Sequence, residues 1–260
     1  MKLALFGATG RMGLTVARLA RAAGHEIVGA VAAADDPNLG RDLGDLAGLG
    51  SVGVAVGADT ASGLLGADLV IDFSTARAVP ELLAIAARQK VAVVSGTTNL
   101  DAPTRALLEK AAASVPVLWA PNMSLGVQVL AELVTQAVRR LGSEYDVEIV
   151  EIHHRKKADS PSGTAKRLAE AAQLARGPLT EIHGRDGDVG ARPTDEIGVF
   201  GIRGGDVIGE HTVYLLGPGE RIELTHRASS RELFAHGALF AARFLVGKPP
   251  GLYTVADVLG

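Results

Sequence analysis

Cysteine is absent from all 260 residues, which excludes disulfides and thiolate metal sites and fits a reducing compartment. The seven His residues leave other metal chemistry open on composition. Neither sign of charge dominates: 26 Lys and Arg stand against 29 Asp and Glu, a formal net charge of −3. The overall field therefore gives no reason to expect nucleic-acid binding, and any anion site has to be local. No apolar run is long enough to span a membrane, and Met1–Gly7 reaches a glycine before a signal-peptide core can form. The expectation is a cytoplasmic protein with neither membrane nor nucleic acid as partner. Internal repeats and low-complexity segments are also missing. What is present is a 47% apolar composition, enough to bury a good core in one large or two modest domains.

Short β-rich runs alternate with helical patterns through the first half. Leu3–Phe6, Ile27–Ala32, Leu69–Phe73, Val91–Ser95 and Val117–Ala120 read as strands. Most lack polar alternation, as expected of parallel strands covered on both faces. Met12, Val16, Leu19 and Ala23 share a helical face after the first strand, and Asp101-Ala102-Pro103 reads as a helix start. This order predicts a Rossmann-type doubly wound parallel sheet over residues 1–123. From about residue 124 the pattern changes. A long apolar helix, Leu125–Leu141, leads to a strand at Val147–His153, and a helix begins near Ser162. Then Ile197–Ile202, Val207–Leu216 and Arg221–His226 follow without helix-length gaps and read as antiparallel hairpins of an open or mixed sheet. Residues 124–231 are thus expected to form a second, α+β domain. The helix through Leu233–Leu245 and the tail Leu252–Leu259 are expected to return to the first, so that 232–260 complete it.

Leu3–Phe6 feeds directly into Gly7-Ala8-Thr9-Gly10-Arg11-Met12-Gly13, and a helix follows at once. Strand, glycine loop and helix together are the context a dinucleotide fingerprint requires. Glycines allow the tight turn and let backbone N–H groups approach a pyrophosphate. Gly7, Ala8, Thr9, Gly10, Arg11 and Met12 are therefore candidate contacts for NADH or NADPH, although a first-turn Arg is also often only solvated. The acid that holds the adenosine ribose belongs roughly 20 residues on. Asp35 is the candidate for it, with a loop-capping role as the alternative. No Arg follows to receive a 2′-phosphate, which favours NADH. Ligands gather at the carboxyl ends of parallel strands, so Gly96, Thr97 and Thr98 and then Ala120, Pro121, Asn122 and Met123 are candidates for the nicotinamide side, or else simply turns.

Five basic or titratable side chains, His153-His154-Arg155-Lys156-Lys157, follow a strand-like run. Strand alternation puts Val147, Ile149, Glu151 and His153 on one side and Glu148, Val150, Ile152 and His154 on the other, so the two histidines cannot do the same job unless the strand ends between them. Beyond them, Ser160-Pro161-Ser162-Gly163-Thr164 opens a helix whose exposed N–H groups and positive dipole end suit a carboxylate or phosphate. Helix-end donors with His, Arg and Lys point to a small dianion, and His adds proton transfer near neutral pH. A solvated basic loop with an ordinary helix cap remains the alternative on spacing alone. A metal site at the His pair is disfavoured, since adjacent histidines lack chelating geometry and the neighbouring cations repel a metal ion.

With Gly7–Gly13, Asp72-Phe73-Ser74, Gly96-Thr97-Thr98, Glu151–Lys157, Pro161–Thr164, Gly209–Val213 and Thr225–Ser230 in order, the chain resembles, essentially end to end, the 4-hydroxy-tetrahydrodipicolinate reductase (dihydrodipicolinate reductase) family of bacterial diaminopimelate and lysine synthesis. The resemblance implies a tetrameric cytosolic oxidoreductase in which NAD(P)H gives hydride to a cyclic, unsaturated dicarboxylate, after or with loss of water. It further implies that His153 is the proton donor and acceptor, Lys157 a second proton donor, and His154, Gly163 and Thr164 substrate-binding residues. Residues 7 to 12, 96 to 98 and 120 to 123 match the family's cofactor contacts. Members often place an acid, sometimes followed by Arg, where this chain has Ala33-Ala34, so cofactor preference does not carry over. Two rivals stay open: another reductase, such as one acting on an amino-acid semialdehyde, which would not need so many anion-binding groups in one loop, and a catalytically silent NAD(P)-sensing protein.

Overall fold

The computed structural model describes all 260 residues. Its strands are β1 (Lys2–Phe6), β2 (Glu26–Val31), β3 (Val56–Gly57), β4 (Leu69–Asp72), β5 (Ala92–Ser95), β6 (Pro116–Trp119), β7 (Asp146–His153), β8 (Thr180–Ile182), β9 (Glu196–Arg203), β10 (Glu210–Gly217), β11 (Glu220–Arg227) and β12 (Gly251–Tyr253). The helices are α1 (Arg11–Ala22), α2 (Leu43–Ala47), α3 (Thr60–Gly63), α4 (Val79–Gln89), α5 (Ala102–Ala112), α6 (Leu125–Leu141), α7 (Gly163–Arg176), α8 (Glu232–Leu245) and α9 (Val255–Leu259). They form two compact units, Met1–Met123 with Glu232–Gly260, and Ser124–Arg231.

The first unit holds a seven-stranded sheet in the order β12-β6-β5-β4-β1-β2-β3. All of its pairings are parallel. Its central strands are apolar runs because both faces are covered: Leu3, Ala4 and Leu5 of β1 and Leu69, Val70 and Ile71 of β4 are buried. Strand order reverses between β1 and β4, so the loop after β1 leaves the sheet at the topological switch point, where such sheets bind ligands. The end of the chain belongs here too, with β12 pairing beside β6 from Gly251 opposite Pro116.

The second unit holds a five-stranded mixed sheet, β11-β10-β7-β9-β8. Along β7 burial alternates residue by residue, with Val147, Ile149, Glu151 and His153 on the buried side. Val147 and Ile149 pack with Leu130 and Val134 of α6 and Leu168 and Ala172 of α7. β10 and β11 form the expected antiparallel hairpin. β9 and β10, however, do not pair: β7 lies between them, parallel to β9 and antiparallel to β10. The crossover through α7 brings the chain back parallel to β7 and occupies that edge, so β10 must take the other.

Candidate active site

In the first unit the glycine loop is shaped by close backbone approach. Gly7 has φ of 76°, and a Cβ there would lie 2.7 Å from the Phe73 carbonyl oxygen. A Cβ at Gly13 would lie 2.4 Å from the Gly7 carbonyl oxygen. Gly10 caps α1 without a side-chain hydrogen bond, and no acid occupies the helix's first turn. This positive end therefore offers its N–H groups to an anion, as a pyrophosphate requires. Thr9 Oγ1 donates to Asp36 Oδ2 at 2.5 Å, and Asp36 Oδ1 accepts from the Asn38 backbone and side chain at 2.8 and 3.0 Å. These bonds, that of Thr9 first, hold the Asp36 carboxyl below its ordinary pKa. Asp35 is exposed beside it, so Asp36 is the carboxylate tied directly to the glycine loop.

At the ends of the neighbouring strands, Asp72 is fully buried. It accepts from Ser95 Oγ at 2.6 Å, Thr97 Oγ1 at 2.9 Å and the Ser74 backbone at 2.8 Å. Burial pushes its pKa up against those bonds. Trp119 Nε1 donates to the Thr97 carbonyl at 2.8 Å. A Cβ at Gly96 would lie 2.2 Å from the Phe73 ring. Gly96, Thr97, Ala120 and Met123 are buried, whereas Thr98 and Pro121 are exposed. Gly96–Thr98 follow β5 and Ala120–Met123 follow β6, so both groups sit at carboxyl ends of adjacent parallel strands.

In the second unit β7 ends at His153, and alternation places Glu151 beside it on the buried face. His153 Nδ1 lies 2.5 Å from Glu151 Oε2, at hydrogen-bond distance. Arg203, opposite His153 on β9, donates from Nη1 to Oε2 and from Nη2 to Oε1, each at 2.7 Å. Glu151 Oε1 also accepts the Ser162 backbone N–H at 3.0 Å. Burial alone would raise the pKa of Glu151, but its bonds with Arg203, His153 and Ser162 prevail and hold it below the ordinary value. His153 is held below its ordinary value by burial, with the Glu151 charge opposing.

Two glycines make the room. Gly201 lies opposite Glu151, and a Cβ there would come within 3.0 Å of Glu151 Oε1 and 2.3 Å of Ser160 Oγ. A Cβ at Gly209 would lie 2.9 Å from His153 Nε2. His211, opposite Glu151 on β10, stands edge-on to the His153 ring with centroids 5.2 Å apart. Its Nε2 is 3.0 Å from Ser162 Oγ, and burial lowers its pKa to about 3.

Ser162 caps α7, accepting the Ala165 N–H at 3.1 Å, and so leads into Gly163 and Thr164 in the helix's first turn. The basic loop between is pinned at several points. His154 N–H donates to the Val207 carbonyl at 2.7 Å, Lys157 Nζ binds both Asp159 carboxylate oxygens at 2.8 and 2.9 Å, and Arg203 Nη2 donates to the Asp159 carbonyl at 2.6 Å. The structure thus joins His153 to the α7 entrance through Glu151 and pairs Lys157 with Asp159, while His154 leaves β7's buried face. No cluster of three or more His, Cys, Asp or Glu side chains is arranged to hold a metal ion.

Residues 1–123 match the family described as Dihydrodipicolinate reductase, N-terminus, and residues 126–259 match Dihydrodipicolinate reductase, C-terminus. The chain belongs to the dihydrodipicolinate reductase family. It is 52% identical to a 4-hydroxy-tetrahydrodipicolinate reductase of Anaeromyxobacter dehalogenans (strain 2CP-1 / ATCC BAA-258), covering 100% of this chain and 97% of the relative. It is 46% identical to one of Myxococcus xanthus (strain DK1622), covering 100% and 98%. Among solved structures, the dipicolinate-bound dihydrodipicolinate reductase of Paenisporosarcina sp. TG-14 shares the fold with a TM-score of 0.75 at 22% identity, over 98% of this chain and 97% of that one. Glu151, Arg203, His211 and Asp159 were not among the candidates drawn from the sequence of this family member. Glu151 alone carried a local signal, its two-residue spacing from His153 on a strand.

Proposed function

We infer that the chain reduces 4-hydroxy-tetrahydrodipicolinate to tetrahydrodipicolinate with NADH or NADPH, in the synthesis of diaminopimelate and lysine. The observation that carries this reading is the joining of His153 to the α7 entrance through one buried carboxylate, in a chain that belongs to this reductase family. The glycine loop fits a dinucleotide, since its turn excludes side chains at Gly7 and Gly13 and the α1 end carries neither acid nor side-chain cap. Gly7–Met12 hold the pyrophosphate, Asp35 the adenosine ribose, and residues 96–98 and 120–123 the nicotinamide. When bound, the nicotinamide supplies a hydride.

Gly163, Thr164 and His154 grip the substrate carboxylates at the dipole end of α7. His153 passes a proton to the ring after hydride addition has made it electron-rich, and Lys157 steadies or protonates developing negative charge once it leaves Asp159. Residues 1–123 with 232–260 serve the cofactor, and 124–231 the substrate. The protein works as a cytoplasmic homotetramer. The sheet face opposite α6 and α7 favours such assembly, because Ile202 and Leu216 on it are 49% and 36% exposed. No helix is long and apolar enough to cross a membrane.

The test follows nicotinamide absorbance while pyruvate and aspartate semialdehyde are condensed enzymatically in the same cuvette. Oxidation of NADH or NADPH that depends on the condensation product supports the reading. Nucleotide binding without oxidation contradicts it.

A further inference from the structure

We propose that Glu151 is a positioning residue of the reaction, which fixes the His153 ring in one tautomer and holds the entrance of α7 in the same frame. The inference rests on His153 as the proton-transferring group proposed above. An ionised carboxylate only accepts hydrogen bonds, so the 2.5 Å contact requires His153 Nδ1 to carry a proton. Neutral His153 therefore keeps its lone pair on Nε2, the nitrogen beside Gly209, and the protonated ring gives up its proton from that same atom. The imidazole is not free to flip, because turning it would replace Nδ1 by the Cδ2–H and lose the bond to the carboxylate, and the other tautomer would point a lone pair at it.

Glu151 does this only while it is charged, and Arg203 provides for that with its two bonds from the neighbouring strand. The second oxygen's bond to the Ser162 N–H places the first residues of α7 relative to the ring. One carboxylate thus sets both the proton-transfer group and the helix end proposed to take a substrate carboxylate. Carboxylates that accept the second ring N–H of a metal-ligating histidine fix its tautomer in the same way, and their loss there costs about 10–100-fold in affinity or activity.

Other charges also face the ring. Arg203 reaches it from β9, His211 from β10, and Lys157, paired with Asp159, from the loop after β7. Glu151 raises the pKa of His153 through its hydrogen bond and its charge, whereas Lys157 and Arg203 lower it, so neutralising Glu151 moves that pKa down further. Activity that needs the protonated ring falls as pH rises through this pKa, and in Glu151→Gln that fall comes at lower pH.

The experiment compares wild type, Glu151→Gln and His153→Ala in the coupled absorbance assay, with NADH dissociation constants measured beside it. Glu151→Gln is expected to lose about 10–100-fold in kcat, to shift the basic limb of kcat/KM to lower pH, and to bind NADH within about two-fold of wild type, since the glycine loop lies in the other unit. Unchanged kcat and pH limb in Glu151→Gln, with His153→Ala inactive, overturns the inference about Glu151 and leaves the role of His153 standing. Full activity in His153→Ala overturns both. Nitrogen NMR of the wild-type His153 ring decides independently, without any variant that must fold. A neutral ring protonated on Nδ1 supports the proposal, and one protonated on Nε2 contradicts it.

Discussion

Arg203 and Glu151 meet from neighbouring parallel strands in a two-pronged ion pair, both bonds at 2.7 Å, with the carboxylate fully buried and the guanidinium side chain 20% exposed. Removing one partner of a buried pair leaves an uncompensated charge, at a cost on the order of 3 kcal/mol. Arg203→Met is accordingly expected to lose about that much stability in urea unfolding. With Arg203 gone, burial governs Glu151 and raises its pKa in the folded state. A carboxyl with a raised folded pKa gains stability as pH falls through it, so the deficit of Arg203→Met against wild type should narrow on acidification. A deficit that does not change with pH would mean that Glu151 is not what Arg203 compensates.

Gly13 packs so tightly against the glycine turn that an added Cβ meets the Gly7 carbonyl oxygen at 2.4 Å and that of Ala8 at 2.6 Å. Both contacts are backbone, with no flexible side chain to yield. Gly13→Ala is expected to open the turn and weaken NADH and NADPH binding by ten-fold or more, about 1.4 kcal/mol, in isothermal titration. Equal loss for both nucleotides is the signature of damage to the pyrophosphate cradle that they share.

His211 is buried and neutral, its pKa lowered from 6.5 to about 3, chiefly by burial. The unfolded chain therefore takes up a proton near pH 6.5 that the folded chain refuses. This contribution to stability is complete above about pH 6.5 and is lost as pH falls toward 3, by up to ~1.4 kcal/mol per pH unit from this one group. His211→Asn, compared with wild type by thermal melting from pH 7 to 4, should show a shallower fall of Tm. An identical slope would remove His211 from the account of acid sensitivity.

The parallel sheet was legible because strands covered on both faces must be apolar runs, and because glycine, Asp and Pro punctuate them. Two short elements of the first unit, α2 and β3, carry no periodicity to read. Asp42 instead ties the start of α2 to the loop before β3, accepting from the Gly44, Val52, Gly53 and Val54 backbones and from Ser51 Oγ, and β3 is held by its pairing with β2. In the second unit the local hairpin β10–β11 was readable from the runs Val207–Leu216 and Arg221–His226, which follow each other without a helix-length gap. The placing of β7 between β9 and β10 was not, since it follows from the α7 crossover rather than from any local run. The same distinction governs the site. His153, Lys157 and the Ser162 cap announce themselves within one segment, and Glu151 stands two residues from His153. Arg203 and His211 reach Glu151 only through strand order. On the cofactor side, Asp35 and Asp36 are adjacent in sequence, and only the folded loop distinguishes the one bonded to Thr9.

The central claim is that the chain is a reductase whose proton-transfer chemistry resides at His153 and Lys157. Turnover of His153→Ala and Lys157→Ala with the enzymatically supplied condensation product, set against their NADH dissociation constants, tests it most directly. The account predicts that kcat falls by about 10²–10⁴ in His153→Ala and substantially in Lys157→Ala, with nucleotide affinity held within about two-fold. Wild-type turnover in both variants would contradict it.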